Sequence, residues 1–279
     1  MTDSILQDRP DLEVTRVRHA LKFRLLKVTR VQALNPHFVR VTFTGDSLDD
    51  FVSASFDDHV KLFFPAPGET LPALPQAGPN GPEFDPAKPR PIARDFTPRR
   101  FDRDARELDI EFALHEAGPA TAWAAQAAPG QHLGIGGPRG SFVIPTNFDW
   151  HLMIGDETAL PAIARRLEEL PEGTRVATLI EVADPSARIE FDTRADLYAQ
   201  WRYRNESSHP GGALLLALRE TYVPDGEGYV WAAGEATLMR EVRKLLCDER
   251  GIDKKRIRAS AYWKRGEQGA CTKRSTVDS

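Results

Sequence analysis

Three arginines, an aromatic ring and a threonine crowd into the seven residues from Arg94 to Arg100, "RDFTPRR". Read as a strand, alternation puts Arg94, Phe96 and Arg100 on one face and Arg99 on the other. A guanidinium fork suits phosphate or carboxylate, and an aromatic beside it can stack on a flat ring. The same spacing also suits a hairpin with a merely basic exposed face. In "GGPRGSF", Gly136, Gly137 and Gly140 surround Arg139, where missing side chains permit close approach to the backbone. His115 ends a strand beside the loop "EAGPA", although a lone histidine is more often a structural hydrogen-bonder.

The second half carries two related junctions, "IGDETALPAI" and "AAGEATLMRE". Each runs from an apolar strand through a glycine–acid pair into a helix. Ligands of open parallel sheets bind beyond the C-terminal strand ends, and a helix N-terminus there can receive a dinucleotide phosphate. Ordinary turn and capping chemistry uses the same pattern.

The elements that must position these residues fall into two groups. "FRLLKVTRVQAL", "FVRVTFTG" and "HVKLFFP" are β-rich runs with turn punctuation, followed by a loop from Pro65 to Pro91 that holds nine of the 21 prolines. "PIARDFTPRRFD" and "LDIEFALH" then read as a hairpin across the turn "RDARE". "GPATAWAAQAAPG" reads as a short helix. Past Asn147 the pattern alternates. "HLMIGD", "RVATLIEVA", "GYVWAAG" and "RIRASAYWKRG" are strands, and "TALPAIARRLEEL", "ALLLALRE" and "EATLMREVRKLLCDERG" are helices. The segment through "QWRYRNESSHPGG" has no clear period. The expectation is two domains, an N-terminal antiparallel β-barrel over 18–147 and a C-terminal α/β parallel-sheet domain over 148–268, with flexible termini at 1–17 and 269–279.

Composition narrows the function. The chain has 279 residues, 41% hydrophobic and 28% charged, which excludes a wholly disordered or collagen-like chain. A net charge of −4 argues against nucleic-acid binding. Residues 240–279 nevertheless carry 12 Lys+Arg against 6 Asp+Glu, a basic end on an acidic body. Two cysteines without CxxC spacing support neither a disulfide framework nor a cysteine-ligated iron–sulfur cluster, so redox chemistry here calls for an organic cofactor. No signal peptide or long apolar run is legible, and the expected location is the cytoplasm without membrane insertion.

Together, "ARDFTPRRFD", "HEAGPATAWA", "GPRGSF", "GDETALPAI", "AAGEA" and "AYWKRG" resemble, in that order, motifs of the siderophore-interacting protein family, FAD-dependent ferric-siderophore reductases of the ferredoxin-reductase-like superfamily. The resemblance runs from about Leu21 to Gly266. It implies a flavin-binding barrel followed by a nicotinamide-binding domain. FAD contacts would fall to Arg94, Phe96, Thr97, Arg99, His115, Ala120, Thr121 and Trp123, with Phe96 replacing the family's usual tyrosine. Asp156, Glu157, Thr158, Gly234 and Glu235 would lie near the nicotinamide, and Tyr262 and Trp263 near the flavin end of the cleft. No protein general acid, nucleophile or metal site is then required.

Cations at Lys61, Arg139, Lys264 and Arg265 would draw in an anionic ferric siderophore. Arg202 and Arg204 lean the donor toward NADPH over NADH, with ferredoxin as an alternative donor. The expectation is a monomer, although no residue pattern addresses the oligomeric state. The competing readings are a flavin reductase with another acceptor and a non-catalytic siderophore carrier.

Overall fold

The computed structural model describes residues 10–79, 81–114, 118–266 and 275–276. In the first half the chain forms β1 (Thr15–Arg18), β2 (Phe23–Asn35), β3 (Phe38–Thr44), β4 (Val60–Phe64), β5 (Gln76–Gly78), β6 (Gly81–Glu83), β7 (Ile92–Phe96), β8 (Arg100–Asp102), β9 (Glu107–Ala113), α1 (Pro119–Ala125), β10 (His132–Gly136) and β11 (Gly140–Val143). Seven of these strands make one antiparallel sheet in the order β7-β4-β10-β2-β3-β9-β8. Alternation drives it: Leu26 and Val28 of β2 are buried while Leu25 and Lys27, alternating with them, face outward. The sheet curls into a barrel-like form. Phe96 on edge strand β7 meets Phe112 of β9 at 4.6 Å between ring centroids, and Phe101 on the other edge meets Phe51 at 4.9 Å.

The two edge strands are consecutive in the chain. "PIARDFTPRRFD" forms the expected hairpin with β9 only through its β8 end. It breaks over Thr97, Pro98 and Arg99, because β7 pairs with β4 whereas β8 pairs with β9. Proline cannot donate to a ladder, so the break falls where the sequence places Pro98. The proline-rich loop is ordered where described, with the β5–β6 hairpin inside it. Phe84 sits edge-on to Phe63 at 6.5 Å, and Leu74 fills the space above Gly134 on the outer face.

In the second half, β12 (Trp150–Asp156), α2 (Leu160–Glu169), β13 (Arg175–Val182), β14 (Asp196–Tyr203), α3 (Gly212–Glu220), β15 (Gly228–Glu235), α4 (Ala236–Lys244) and β16 (Ile257–Trp263) follow. The five strands are parallel in the order β14-β13-β12-β15-β16, and Ser275–Thr276 adds β17 antiparallel at the β16 edge. Every residue of the central β12 is buried. That is what helices on both faces require. Leu160, Ile163 and Leu167 of α2 cover one face, and α3 with α4 covers the other.

The core under α2 is shared by the two halves. Phe38, Phe56 and Ile144 of the barrel belong to it, and so does Leu12, which is 1% exposed. The expected flexible lead-in is thus structured from Pro10 onward: Leu12 is buried, its carbonyl accepts from Arg256, and Thr15–Arg18 pairs with β11. Among the described residues no helix is long and apolar enough to cross a membrane.

His151 on β12 is 3% exposed and donates through Nε2 to the Thr146 carbonyl at 3.3 Å. Burial, and then the Arg166 charge, push its pKa down to about 4 from an ordinary 6.5. A depressed histidine holds its stability contribution above the unfolded pKa and loses it as pH falls through the folded one. From pH 7 to 4.5 this residue should therefore account for about 2 kcal/mol of lost stability. Denaturant unfolding of His151→Phe at both pH values should show a drop smaller by about that amount; an equal drop would show that His151 is not the titrating group.

Candidate functional site

The β4–β7 register decides which way the arginine-rich strand looks. Arg94 lies opposite Leu62 and Phe96 opposite Val60, so both share the face of those buried core residues. Asp95 and Lys61 lie on the reverse face, where Lys61 Nζ bonds Asp95 Oδ1 at 2.6 Å. Arg94 donates to the neighbouring Ala93 carbonyl at 2.8 Å. Among the described residues no carboxylate pairs with it. Thr97, at the end of the strand, is 3% exposed.

The other two arginines are already committed. Arg100, on the opposite sheet edge, binds Asp109, Glu107 and Asp102. Arg99 is 7% exposed, forks onto both oxygens of Glu168, and places Nε 3.4 Å from Glu111. Strand alternation misassigned Arg100 because it does not survive the break at Pro98.

Gly118 and Pro119 start α1, with Ala120 and Thr121 in its first turn. Trp123 stacks on Phe43 at 6.2 Å and abuts Phe64 and Phe112. It ties the helix to the same barrel end that carries Phe96. His115 lies outside the described residues. A guanidinium with no carboxylate partner among the described residues, on one strand face with a half-exposed ring and followed by a hydroxyl just past the strand end, fits a group that joins an anion to a flat ring. FAD is such a group.

On the α/β side, β12, β15 and β16 end side by side and bring the two glycine–acid junctions together with Tyr262 and Trp263. Asp156 is their hub. Its Oδ1 accepts from the Thr158 amide at 2.9 Å and the Thr158 hydroxyl, and its Oδ2 accepts from Trp263 Nε1 at 2.8 Å. A Cβ on Gly234 would stand 2.7 Å from Asp156 Oδ2, and one on Gly155 would stand 2.4 Å from Ala159 Cβ. Burial, then the neighbouring Glu157, push the Asp156 carboxyl above the ordinary carboxylate range, while its three donors work in the opposite direction. Burial likewise raises Glu181, the register partner of Asp156 on β13. Arg204 is the neighbouring cation and pairs with Glu157.

Of the two readings of these helix starts, phosphate site and ordinary capping, the capping contacts are the ones present. Glu235 caps α4 with its own carboxylate, accepting from the amides of Thr237 at 2.7 Å and Leu238 at 3.0 Å. The chain before α2 turns on Asp156, and Pro161 removes one of that helix's first donors. In "GGPRGSF", too, the close approach is internal: a Cβ on Gly140 would meet the Val17 carbonyl of β1 at 2.6 Å.

The residues joining the halves carried no sequence signal. Asp57, 5% exposed, binds Arg258 and accepts from the Tyr262 hydroxyl at 3.2 Å. Arg258 in turn lies 4.0 Å over the Phe142 ring. Arg165 of α2 donates to Ser53 Oγ and to the Pro98 carbonyl, each at 2.8 Å. These groups sit on faces that a periodicity argument assigns to solvent. Of the expected substrate cations, Arg139, Lys264 and Arg265 are exposed, and the Arg265 guanidinium lies 5.9 Å from the Trp263 ring. Among the described residues no group of three or more His, Cys, Asp or Glu side chains converges to hold a metal.

Residues 27–142 match the siderophore-interacting FAD-binding domain, and residues 148–266 match the siderophore-interacting protein domain. An NADPH-dependent ferric-chelate reductase of Escherichia coli strain K12 is 36% identical over 253 residues, covering 89% of this chain and 95% of that protein. Ferric vibriobactin reductase ViuB of Vibrio cholerae is 32% identical, covering 88% of this chain and 90% of its own. The crystal structure of a siderophore utilization protein from T. fusca superposes with a TM-score of 0.84 at 41% identity, covering 92% of this chain and 98% of that one.

Proposed function

The chain belongs to the siderophore-interacting protein family, and from that premise we propose that it is an FAD-dependent ferric-siderophore reductase that draws its electrons from NADPH. The observation that carries the reading is Arg94, a half-buried arginine without a carboxylate partner among the described residues, on the same strand face as Phe96 and three residues before Thr97. An arginine left uncommitted there is held for an anion that arrives with the cofactor. Bound FAD supplies the step from two-electron donor to one-electron acceptor that no side chain in this protein can perform.

The chain's own residues bind and orient. Arg94 holds the diphosphate, Phe96 lies against the ring, and Thr97 stands at the ring edge. Ala120 and Thr121 present the first turn of α1, and Trp123 fixes that helix to the barrel. Asp156 holds Trp263 at the mouth of the parallel sheet and anchors Thr158 beside it. With both helix starts internally satisfied, the dinucleotide phosphates fall to side-chain cations, among them Arg202 near the end of β14 and Arg204 just past it, which would turn from its Glu157 partner. The exposed Arg139, Lys264 and Arg265, and Lys61 in its pair with Asp95, attract an anionic chelate. Iron enters as substrate within its hard oxygen ligands, which suit Fe(III) better than Fe(II), so reduction releases it. We read the working protein as a cytoplasmic monomer.

Anaerobic mixing tests the proposal. Purified protein should carry flavin absorbance, bleach on NADPH faster than on NADH or reduced ferredoxin, and recover its colour when a ferric siderophore is added. Bleaching without recovery would point to a flavin reductase with another acceptor. Absence of flavin from the purified protein would support a carrier instead.

A further inference from the structure

We propose that α2 of the second domain is a spacer that positions the flavin-contacting loop of the barrel, with Arg165 and Glu168 as the positioning residues; the inference rests on the FAD reading above. The apolar side of α2 lies on the parallel sheet through Leu160, Ile163 and Leu167. Its opposite side grips the barrel at the break between β7 and β8. Arg165 Nη1 donates to the Pro98 carbonyl and to Ser53 Oγ, each at 2.8 Å, and Nη2 donates to the Ser53 carbonyl at 3.1 Å. Its Nε is held by Glu169 at 2.8 Å. Three residues further along, Glu168 takes the fork of Arg99. The two residues that follow Thr97, Pro98 and Arg99, are therefore bonded to one helix of the other domain.

The grip is backed on the barrel side. Ser53 Oγ donates to Asp58 at 2.9 Å, and the same carboxylate oxygen accepts from Ser141 at 2.8 Å, which in turn pairs with His19 at 2.8 Å. Asp58 and Ser141 are 2% and 4% exposed, so the centre of this network is shielded from water.

The other end of α2 matters equally. The helix begins immediately after Asp156, Glu157 and Thr158, the residues at the mouth of the sheet. Its ten residues span about 15 Å as a rigid rod. One helix therefore carries the donor-side loop at its N-terminal end and clamps the loop after Phe96 and Thr97 along its outer face. That arrangement sets the separation between donor and acceptor by covalent helix geometry rather than by domain closure. An error of about 1 Å in such a separation costs on the order of 100-fold in rate.

The test compares wild type, Arg165→Ala, Arg165→Lys and Glu168→Gln as FAD-loaded proteins. Anaerobic single-turnover reduction by NADPH is measured alongside visible circular dichroism of the flavin. For Arg165→Ala the limiting rate should fall about tenfold while the NADPH concentration for half-saturation stays within twofold, and the flavin dichroism should change. Glu168→Gln should move both readouts the same way by about threefold, and Arg165→Lys should recover part of the dichroism. Wild-type dichroism and limiting rate in Arg165→Ala would overturn the proposal. If that variant fails to fold, Glu168→Gln decides in the same way. A wild-type protein that holds no flavin refutes the functional reading and not the clamp. The clamp is then judged by hydrogen exchange over residues 96–100 of the flavin-free chain: faster exchange in Arg165→Ala supports it, and unchanged exchange overturns it.

Discussion

Arg94→Ala should purify as a folded, colourless protein. Each hydrogen bond from a guanidinium to an anion contributes about 1.5–3 kcal/mol, so losing a two-pronged contact should weaken FAD binding about 100-fold or more. Folding should be nearly untouched, because no carboxylate is stranded: the side chain's hydrogen bond runs to the adjacent Ala93 carbonyl. Stability of the flavin-free protein should stay within about 0.5 kcal/mol of wild type. Titration of apoprotein with FAD, beside denaturant unfolding of the same sample, separates the two quantities. Full flavin retention would remove Arg94 from the cofactor site, and a large fall in apoprotein stability would make it a structural residue instead.

The second large effect lies at the seam between the halves. In Asp57→Ala, Arg258 loses its carboxylate while its guanidinium remains largely buried over Phe142 at 4.0 Å. The Tyr262 hydroxyl loses its acceptor at 3.2 Å as well. Breaking a buried pair by removing one partner leaves an uncompensated charge, at a cost of about 3–5 kcal/mol. That is a large part of the stability of an ordinary domain. A double-mutant cycle with Arg258→Met should recover much of the loss, since a long apolar side chain can replace the guanidinium over the Phe142 ring. A loss below about 1 kcal/mol for Asp57→Ala would show that water reaches the pair. The consequence reaches the site, because Tyr262 is followed by Trp263, whose indole is held by Asp156.

The two junctions illustrate how far local pattern carries. A glycine–acid pair between strand and helix is visible in the residues alone, and both pairs do stand at adjacent parallel strand ends. What the acids do there was not visible. Glu235 gives one carboxylate oxygen to its own helix and the other to the Arg265 amide, and Asp156 spends its on Thr158 and Trp263. Which acceptor a carboxylate serves is set by whatever lies within hydrogen-bonding distance, and Trp263 is 107 residues away from Asp156 along the chain. Similarly, β14 escaped notice because an edge strand with a mixed burial pattern has neither a clean alternation nor a continuous apolar run.

The sequence by itself determined the change from period-two strands to alternating strands and helices near Thr146 and most of the elements on either side of it, and it marked out Arg94, Phe96 and Thr97 as candidates for a cofactor site. Those are local properties: periodicity, turn chemistry and short motifs are written within a few residues of one another. Only the tertiary structure decided which arginine stays uncommitted. Arg94, Arg99 and Arg100 are alike in the sequence, but the break at Pro98 sends them to different neighbours. Arg100 meets three carboxylates on the far sheet edge, Arg99 meets Glu168 of the other domain, and Arg94 meets none among the described residues. A charge is neutralised by contacts in space, and long-range contacts are made by the fold.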